Sequence, residues 1–424
     1  MLIPKESVGR SKVWIGLGVA AVVVLLGFWG LRGRLSGVDP NLVWREAEAN
    51  FSRGRYERVE AGLSELARLR APDPLDWMLK AQMALVRKKD DLALADLEHI
   101  PDLHPMAAQA RLLSGQIELR RSRLRFAEKS LLEACRLDPT LVQSHRELIY
   151  IYGILLRRTE LSDQFRRLGE LAPLTYENVF HWCLTRNTVW EPKELVVLLT
   201  KALGADPEDR WSRLSLAENL RQLGRRDEAE EVLSPLAASD PEARAVRVRI
   251  AFDRGDDQGA EALLAGGPAD HAELSRFRGR LALAHRDGAA AVKQFRAAYA
   301  KEPDNRDAIF GLGQALAMAG ENEAAAPLMA LSKSYDALGT LMQRASNTKA
   351  RNDADLMRSL GAACEQVGRL PEARAWYSLA INANALDAES QKALFRLKAE
   401  ETAGKPKEGE SKARNGLTRS GAGG

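Results

Sequence analysis

Apolar side chains recur along this chain with the spacing of an α-helix, in paired segments that a short polar stretch separates. One pair of segments has its apolar side chains at Trp211, Leu214, Ala217 and Leu220, and then at Ala229, Val232, Leu233, Leu236 and Ala237. A spacing of three or four residues predicts two helices. Gly224 lies between them, where a residue that tolerates a positive φ lets the chain reverse. Each predicted unit is therefore a helical hairpin.

Prolines follow the predicted hairpins at a regular interval. The interval is 34 residues, at Pro105, Pro139, Pro173, Pro207 and Pro241. Proline cannot continue a helix, so each of these residues marks a helix boundary. A fixed period of this length is typical of a solenoid, in which each unit buries its apolar face only against its neighbours. Pro235 falls inside a predicted second helix, and we expect it to kink that helix or to lower its stability.

The 34-residue period resembles the tetratricopeptide repeat, whose pattern is W-x2-L-G-x2-Y, then A-x3-F, then P. The two clearest copies have their matching residues at Gly279, Ala291, Phe295 and Pro303, and at Leu360, Gly361, Ala373 and Tyr377. A weaker copy has them at Gly115, Ala127, Leu131, Ala134 and Pro139. The resemblance implies an all-α fold, a right-handed superhelical solenoid of helical hairpins. It also implies that the first helices line a concave groove that takes extended or helical peptides.

The pattern divides the chain into six segments. They are an N-terminal flank at 1–12, a transmembrane helix at 13–31, a linker at 32–39, a solenoid of about ten units at 40–387, a capping helix at 388–401 and a tail at 402–424. The tail is too poor in apolar residues to order itself. Within the solenoid, the unit at 244–271 is short. An insertion at 340–353 is expected to add a short helix that bends the stack.

The transmembrane helix is predicted from the stretch VWIGLGVAAVVVLLGFWGL at 13–31, which has no charged residue. At about 1.5 Å per residue it is long enough to cross a hydrocarbon core of roughly 30 Å. A cleaved signal peptide is the alternative, but the apolar run is longer than such peptides usually have. Basic residues are in slight excess on its N-terminal side. We therefore expect a single-pass protein of a bacterial inner membrane, with the solenoid on the periplasmic side.

Composition and motifs point away from catalysis. A net charge of +4 over 424 residues is too balanced for a dedicated nucleic-acid-binding domain. Cys135, Cys183 and Cys364 lie in three different units without a C-x-x-C pair, so they are interpreted as small core residues rather than metal ligands. The histidines are scattered singly, and no phosphate-binding loop or G-x-S-x-G motif is present. We expect no enzyme activity, no metal and no cofactor.

Partner-binding residues can be predicted only through the resemblance. Glutamines, arginines and aromatic residues at the groove-facing places are typical of recognition surfaces, although they are also common on solvated helix faces. The predicted groove residues are Gln82, Gln116, Gln143, Arg146, Tyr150, Phe180, Trp211, Glu218, Arg221, Arg276, Arg280, Phe310 and Gln314.

Basic residues collect in the predicted hairpin turns. Stacking of the units would place them on one edge, which we call the basic edge. It is either an ordinary solvated surface or a strip that meets anionic lipid or an acidic partner. Replacing Arg120, Arg121, Arg123 and Arg125 by glutamine is expected to change stability little. The basic edge consists of Arg87, Lys88, Lys89, Arg120, Arg121, Arg123, Arg125, Arg157, Arg158, Arg225 and Arg226.

These features together predict a membrane-anchored, non-catalytic scaffold that binds protein or peptide partners near the bilayer. An accessory subunit of a cell-envelope enzyme complex, with the catalytic residues on another chain, is the alternative. Binding of nucleic acid or anionic lipid through the basic edge ranks below both. The identity of the partner and the oligomeric state do not follow from the sequence.

Overall fold

The structure is a computed structural model that describes residues 38–184, 192–347 and 351–404. These residues form 21 α-helices and no strand. The helices are α1 Pro40–Ser52, α2 Tyr56–Leu69, α3 Pro74–Val86, α4 Asp90–Glu98, α5 Ala107–Arg120, α6 Leu124–Leu137, α7 Val142–Ile154, α8 Arg158–Leu171, α9 Tyr176–Leu184, α10 Pro192–Ala205, α11 Arg210–Gln222, α12 Arg226–Leu233, α13 Pro241–Arg254, α14 Asp257–Ala265, α15 Ala272–Ala284, α16 Gly288–Lys301, α17 Arg306–Met318, α18 Asn322–Ala345, α19 Ala354–Gln366, α20 Leu370–Ala383 and α21 Ala388–Gly404.

The described chain divides into two compact units. The first contains residues 38–121 and 126–141, and the second contains residues 122–125 and 142–404. In both units, helices that follow one another along the chain pack as hairpins, for example α1 with α2, α15 with α16 and α19 with α20. The all-α fold of helical hairpins predicted from the sequence is therefore confirmed.

Aspartate caps and a glycine turn set the ends of several helices. Asp73 and Asp240 lie just before helices that begin with proline, and their carboxylates accept hydrogen bonds from backbone N–H groups of the first turn. Such caps satisfy donors that have no partner inside the helix. Between α11 and α12 the chain reverses at Gly224, whose φ of 78° favours glycine. Local sequence thus determines where each hairpin starts and turns.

Pro235 does not lie inside a helix, so the predicted kink is absent. Helix α12 ends at Leu233, two residues before the proline. Proline has no backbone N–H with which to continue the hydrogen bonds of a helix, which makes an early end less costly than a kink. Leu236 and Ala237 consequently lie outside the helix.

The small and large residues of the repeat pattern meet inside the hairpins. A Cβ atom on Gly361 would lie 2.7 Å from the Tyr377 ring, and one on Gly279 would lie 2.7 Å from the Phe295 ring. On Gly115 it would lie 2.6 Å from Leu131. These distances are too short for a real side chain, so glycine lets the two helices of each hairpin approach closely.

The insertion near the C terminus takes a different form from the one predicted. The sequence predicts an added short helix within 340–353, whereas α18 continues as one helix of 24 residues from Asn322 to Ala345. Its extension is amphipathic: Tyr335, Leu338 and Met342 are buried at helical spacing. Burial of this stripe explains why the helix lengthens, because most helical stability in proteins comes from packing an apolar face.

The predicted transmembrane helix at 13–31 lies outside the described residues. Within the ranges that the structure does describe, no helix has both the length and the apolar character needed to cross a membrane. The longest one, α18, contains Glu323, Lys333, Asp336 and Arg344. This finding overturns the predicted localisation as a single-pass inner-membrane protein with a periplasmic solenoid.

Helix α9 has an unexpected position within the second unit. By the 34-residue period it should pair with α10, but it packs against α8, α18 and α20. Val179, Phe180 and Cys183 of α9 belong to one hydrophobic cluster with side chains of α18, α19 and α20, including Leu360 and Trp376. We call these contacts the α9 junction. The junction joins residues 176–184 to residues 335–380 of the same unit.

Candidate peptide-binding face

The first helices of successive hairpins in the second unit lie side by side. Helix α11 packs on α13, α13 packs on α15, and α15 packs on α17. Charged side chains pair across these boundaries and form a continuous set, which we call the charged row. The charged row consists of Glu218, Arg221, Arg249, Asp253, Glu273 and Arg276.

Glu218 is the most buried member of the charged row. Its carboxylate accepts a hydrogen bond from Arg221 at 2.8 Å and from the Gln222 amide at 3.0 Å, and it lies 3.5 Å from the Nε of Arg249. Burial raises the pKa of this carboxyl, but the charge of Arg249 and the bonds from Arg221 outweigh burial and lower the pKa overall. Glu218 is therefore an anion that holds two arginines in place.

The pairing continues from α13 to α17. Arg249 of α13 lies 3.2 Å from the Glu273 carboxylate of α15, which in turn accepts a hydrogen bond from Arg276 at 3.2 Å. Arg276 also donates to the Oδ1 of Asn305, the capping residue of α17, at 3.1 Å. Each member is thus oriented by a neighbour of opposite charge or by a cap. A row fixed in this way needs little side-chain reorganisation to meet a ligand.

Arg158 differs from the charged row beside it. It is the first residue of α8, it is half-buried, and it makes no hydrogen bond or ion pair with any described residue. Burial lowers the pKa of its guanidinium, and the nearby cation of Arg249 lowers that pKa further, whereas the carboxylates of Glu218 and Glu273 raise it in part. The Oγ of Ser215 donates to the carbonyl of Ile154 at 2.6 Å and so fixes the end of α7 against α11. Arg158 is therefore a half-buried cation that lies near two carboxylates but forms no direct ion pair with either.

Aromatic rings on α11 and α13 have arginine guanidinium groups above them. The Trp211 ring lies 4.7 Å from the Arg210 guanidinium and 5.0 Å from that of Arg157. Arg280 lies 4.7 Å above the ring of Phe252. Such stacking orients the guanidinium while leaving its N–H groups able to donate.

The predicted groove residues do not all reach one face. Gln82 and Gln116 belong to the first unit, and the others belong to the second. Glu218, Arg221 and Arg276 meet in the charged row. The side chains of the whole set fall into three classes of exposure: buried for Phe180 and Glu218; half-buried for Gln82, Gln116, Gln143, Trp211, Arg221, Arg276 and Phe310; exposed for Arg146, Tyr150, Arg280 and Gln314.

Phe180 has to be corrected as a groove residue. Its side chain is 6% exposed and packs in the hydrophobic cluster of the α9 junction. Because α9 is displaced from its expected partner, the face that should line a groove is covered by α18 and α20. Phe180 is thus a core residue.

Most arginines of the basic edge have carboxylate partners. Arg120 pairs with Asp90 at 2.6 Å, Arg121 pairs with Asp91 at 2.7 Å, and Arg87 pairs with Glu60. In the second unit the pairs are Arg125 with Asp206, Arg157 with Glu160 and Arg225 with Glu228. Arg158 is half-buried beside the charged row rather than exposed on a turn.

Sequence reasoning missed Arg249, Asp253 and Glu273. Arg249 and Asp253 lie in the short unit at 244–271, for which the repeat register was not assigned to groove places. Arg221 and Asp253 are 32 residues apart. A search for a residue of opposite charge about one repeat further along the chain would have identified this pair.

The described residues contain no group of three or more histidine, cysteine, aspartate or glutamate side chains that could hold a metal ion. Two of the three cysteines do meet: the sulfur atoms of Cys183 and Cys364 lie 4.0 Å apart. Because 181 residues of sequence separate the two cysteines, no local sequence pattern predicts this contact.

Helical hairpins stacked through their first helices define a helical-repeat protein, and the charged row lies along those first helices. Two family models of the tetratricopeptide repeat match the chain, one over residues 196–248 and the other over residues 278–337. Residues 196–248 and 278–337 therefore contain tetratricopeptide repeats. A search of curated proteins finds no match to it.

Solved structures that resemble the chain include other helical-repeat proteins. A tetratricopeptide repeat protein from Parabacteroides merdae is 17% identical, with 57% of this chain and 98% of that chain covered and a TM-score of 0.32. The human IFIT1 dimer with PPP-AAAA is 16% identical, with 83% and 85% covered and a TM-score of 0.32. PilW, a widely conserved type IV pilus biogenesis factor, is 19% identical, with 48% and 98% covered and a TM-score of 0.27. At these low identities and TM-scores, no ligand or partner is carried over to this chain.

Proposed function

We propose that this protein is a non-catalytic scaffold that binds an acidic, extended segment of a partner protein on the charged row. The observation that supports this proposal is Arg158, a half-buried guanidinium that forms no direct ion pair and lies near the cation of Arg249. The family match supports the broader part of it, because tetratricopeptide repeats generally mediate contacts between proteins.

The expected gain on binding follows from electrostatics. A carboxylate beside Arg158 would offset the repulsion from Arg249 and accept hydrogen bonds from a cation that now has none. Glu218 and Glu273 already neutralise much of the row, so the face does not attract anions indiscriminately. It favours a carboxylate at one position.

Arg280 provides a second contact for the same segment. It is exposed and stacked on Phe252, in the arrangement of arginine and aromatic side chains that interfaces enrich. Since the charged row runs over several hairpins, an extended chain that lies along it would present side chains to successive units. This length explains why we favour a peptide segment over a single small anion.

A binding experiment tests the ligand class. A labelled peptide of about ten residues with several glutamates is compared with the same peptide carrying glutamines, by fluorescence anisotropy at low salt. We expect the acidic peptide to bind more tightly, and Arg158→Gln to weaken its binding about tenfold, the loss expected for one charge-assisted hydrogen bond. Arg225→Gln is the matched control, because that arginine is exposed and paired with Glu228. Equal affinity for the two peptides, or equal losses in the two variants, would contradict the proposal.

A crosslinking experiment in cells tests where on the protein the partner binds. A photoreactive amino acid placed at Arg280 or Gln314, both exposed, should capture the same partner segment. The same amino acid at Lys88 is the control, since that residue lies on an exposed turn of the first unit. Capture of one partner from all three positions would argue against a defined binding face.

The basic edge does not support a comparable proposal. Its arginines at 87, 120, 121, 125, 157 and 225 are paired with carboxylates. Binding a phosphate there would require breaking those pairs. This makes nucleic acid and anionic surfaces poorer candidates than an acidic peptide on the charged row.

A further inference from the structure

Cys183 and Cys364 form an isolated pair of thiols inside the α9 junction. Their sulfur atoms are 4.0 Å apart, and the two residues are 7% and 0% exposed. Cys183 lies on α9, and Cys364 lies on α19. The pair therefore spans the boundary between the displaced helix and the C-terminal hairpins.

We propose that Cys183 and Cys364 are a site of reversible disulfide formation, which fastens α9 covalently to α19. This inference does not depend on the proposed function. The oxidant is a small disulfide of the glutathione type. One cysteine thiolate attacks a sulfur of that disulfide, forms a mixed disulfide and releases one small thiol. The second cysteine thiolate then attacks the protein sulfur of the mixed disulfide, so the protein gains one S–S bond and a second small thiol leaves.

The geometry favours bond formation between these two residues. A disulfide needs a sulfur separation of about 2.05 Å, so the atoms must approach by roughly 2 Å, a movement of the order that side-chain rotation provides. Trp376 already donates its indole N–H to the Cys183 sulfur at 3.1 Å. Arg369 donates to the Cys183 carbonyl at 3.4 Å, which places a cation at the pair.

Other features of the junction make the reaction slow. The neighbouring Cys183 thiol and burial raise the pKa of Cys364, and the carboxylate of Glu372 raises that pKa as well, whereas Arg369 lowers it. A small disulfide also cannot reach the buried sulfurs until α9 parts from the C-terminal hairpins. The rate should therefore report how often the α9 junction opens.

The structural consequence is a covalent but reducible link between distant parts of the second unit. In the reduced protein the α9 junction is held by packing, by the ion pair of Glu177 with Arg351 at 3.2 Å, and by hydrogen bonds such as the one from the Tyr176 hydroxyl to the Ala345 carbonyl at 2.9 Å. The disulfide would close a loop of 181 residues between the two cysteines. Closing so long a loop restricts the unfolded chain and stabilises the folded one.

The test uses the full chain incubated with oxidised glutathione under native conditions. Peptide mapping of unreduced protein should reveal a Cys183–Cys364 disulfide, with an intact mass lower by two hydrogen atoms. We expect a higher midpoint of thermal unfolding for the oxidised protein, faster migration on a denaturing gel without reductant, and reversal of both changes by dithiothreitol. Because wild-type protein is mapped directly, this measurement does not depend on whether a variant folds.

Three controls decide the interpretation. Cys135→Ser should leave the disulfide unchanged, because Cys135 is only half-buried and lies in the first unit. Cys183→Ser and Cys364→Ser should each abolish the gel shift. Glutathione attached to Cys183 or Cys364 without the internal bond, oxidation confined to Cys135, or formation of the bond only after urea has unfolded the chain would each overturn the proposal.

Discussion

The indole nitrogen of Trp376 donates a hydrogen bond to the sulfur of Cys183 at 3.1 Å, although the two residues are 193 positions apart. Trp376 is completely buried in α20, and its ring also meets that of Tyr176 edge to face, with centroids 5.4 Å apart. A helical-repeat chain normally makes contacts only between neighbouring units. The α9 junction departs from that rule and gives the second unit long-range contacts that should increase its cooperativity.

Phe180→Ala should destabilise the α9 junction strongly. The side chain is almost completely buried, and removing a buried phenylalanine usually costs about 3 to 5 kcal/mol. Tyr150→Ala is the matched control, because Tyr150 was predicted for the same groove but is 51% exposed, so its replacement should cost within about 0.5 kcal/mol. Urea unfolding followed by circular dichroism measures both variants. Similar midpoints for the two would mean that α9 does not pack in the core.

Gly361→Ala should destabilise the hairpin of α19 and α20. The added Cβ would lie 2.7 Å from the Tyr377 ring, and overpacking of this kind typically costs about 1 to 3 kcal/mol. Gly339→Ala in α18 is the control, because nothing lies within 4 Å of a Cβ there. Alanine should stabilise that helix by roughly 0.5 to 1 kcal/mol. Thermal unfolding of the two variants should therefore shift in opposite directions.

Local features of this fold could be predicted from the sequence, and distant ones could not. The hairpins, their glycine turns and the contact of Gly279 with Phe295 follow from residue types at fixed spacing, because each interaction lies within one unit. The displacement of α9 depends on residues more than 150 positions away, so no local pattern contains it. The partners of charged residues were missed for the same reason: Arg120 and Asp90 are 30 residues apart and belong to different hairpins.

The candidate binding face was predicted in part. Glu218, Arg221 and Arg276 were named from the resemblance, and they do meet in the charged row. Arg249 connects them, but it lies in the shortened unit where the repeat register is difficult to place. Arg158 was predicted to belong to the basic edge, because the sequence places it at a hairpin turn. The sequence does not predict that α8 begins beside α11.

Arg125→Gln should lower stability more than the sequence suggested. The Nε and Nη2 atoms of Arg125 each donate to the Asp206 carboxylate at 2.9 Å, and Asp206 is buried. Leaving that carboxylate without its partner should cost roughly 1 to 2 kcal/mol, a modest value because Arg125 is half-exposed and water can replace it in part. The expectation that the whole arginine group could be replaced at little cost is therefore revised for this residue.

The control for Arg125 is Arg225→Gln, which removes an arginine paired with the exposed Glu228. Its effect on the urea midpoint should be clearly smaller. Asp206→Asn together with Arg125→Gln should recover part of the loss, because the double variant no longer buries an unpaired charge. If Arg125→Gln and Arg225→Gln had equal midpoints, the pair with Asp206 would contribute no more than an ordinary surface ion pair.

Asp387→Asn should weaken the terminal helix α21 in a manner that depends on pH. The buried Asp387 carboxylate accepts hydrogen bonds from the Ser390 backbone N–H at 3.1 Å, from the Ser390 hydroxyl at 2.7 Å and from Arg358 at 3.1 Å. Burial raises the pKa of Asp387, but the bonds from Ser390 and Arg358 outweigh burial, so the folded-state pKa is lowered. A lowered pKa means that the carboxylate stabilises the fold above the unfolded-state value, about 3.9, and that this stabilisation is lost as the pH falls below it.

We therefore expect Asp387→Asn to cost about 1 to 2 kcal/mol near pH 7 and clearly less near pH 3. The comparison is best made with urea unfolding at both pH values, each variant being referred to the wild-type protein at the same pH. Asp355→Asn is the matched control, because it removes an exposed carboxylate from the same arginine, at 2.7 Å from Arg358. Its cost should be smaller than that of Asp387→Asn at neutral pH. A cost for Asp387→Asn that stayed the same from pH 7 to pH 3 would show that the amide replaces the carboxylate as a cap and that the charge on Asp387 contributes nothing to stability.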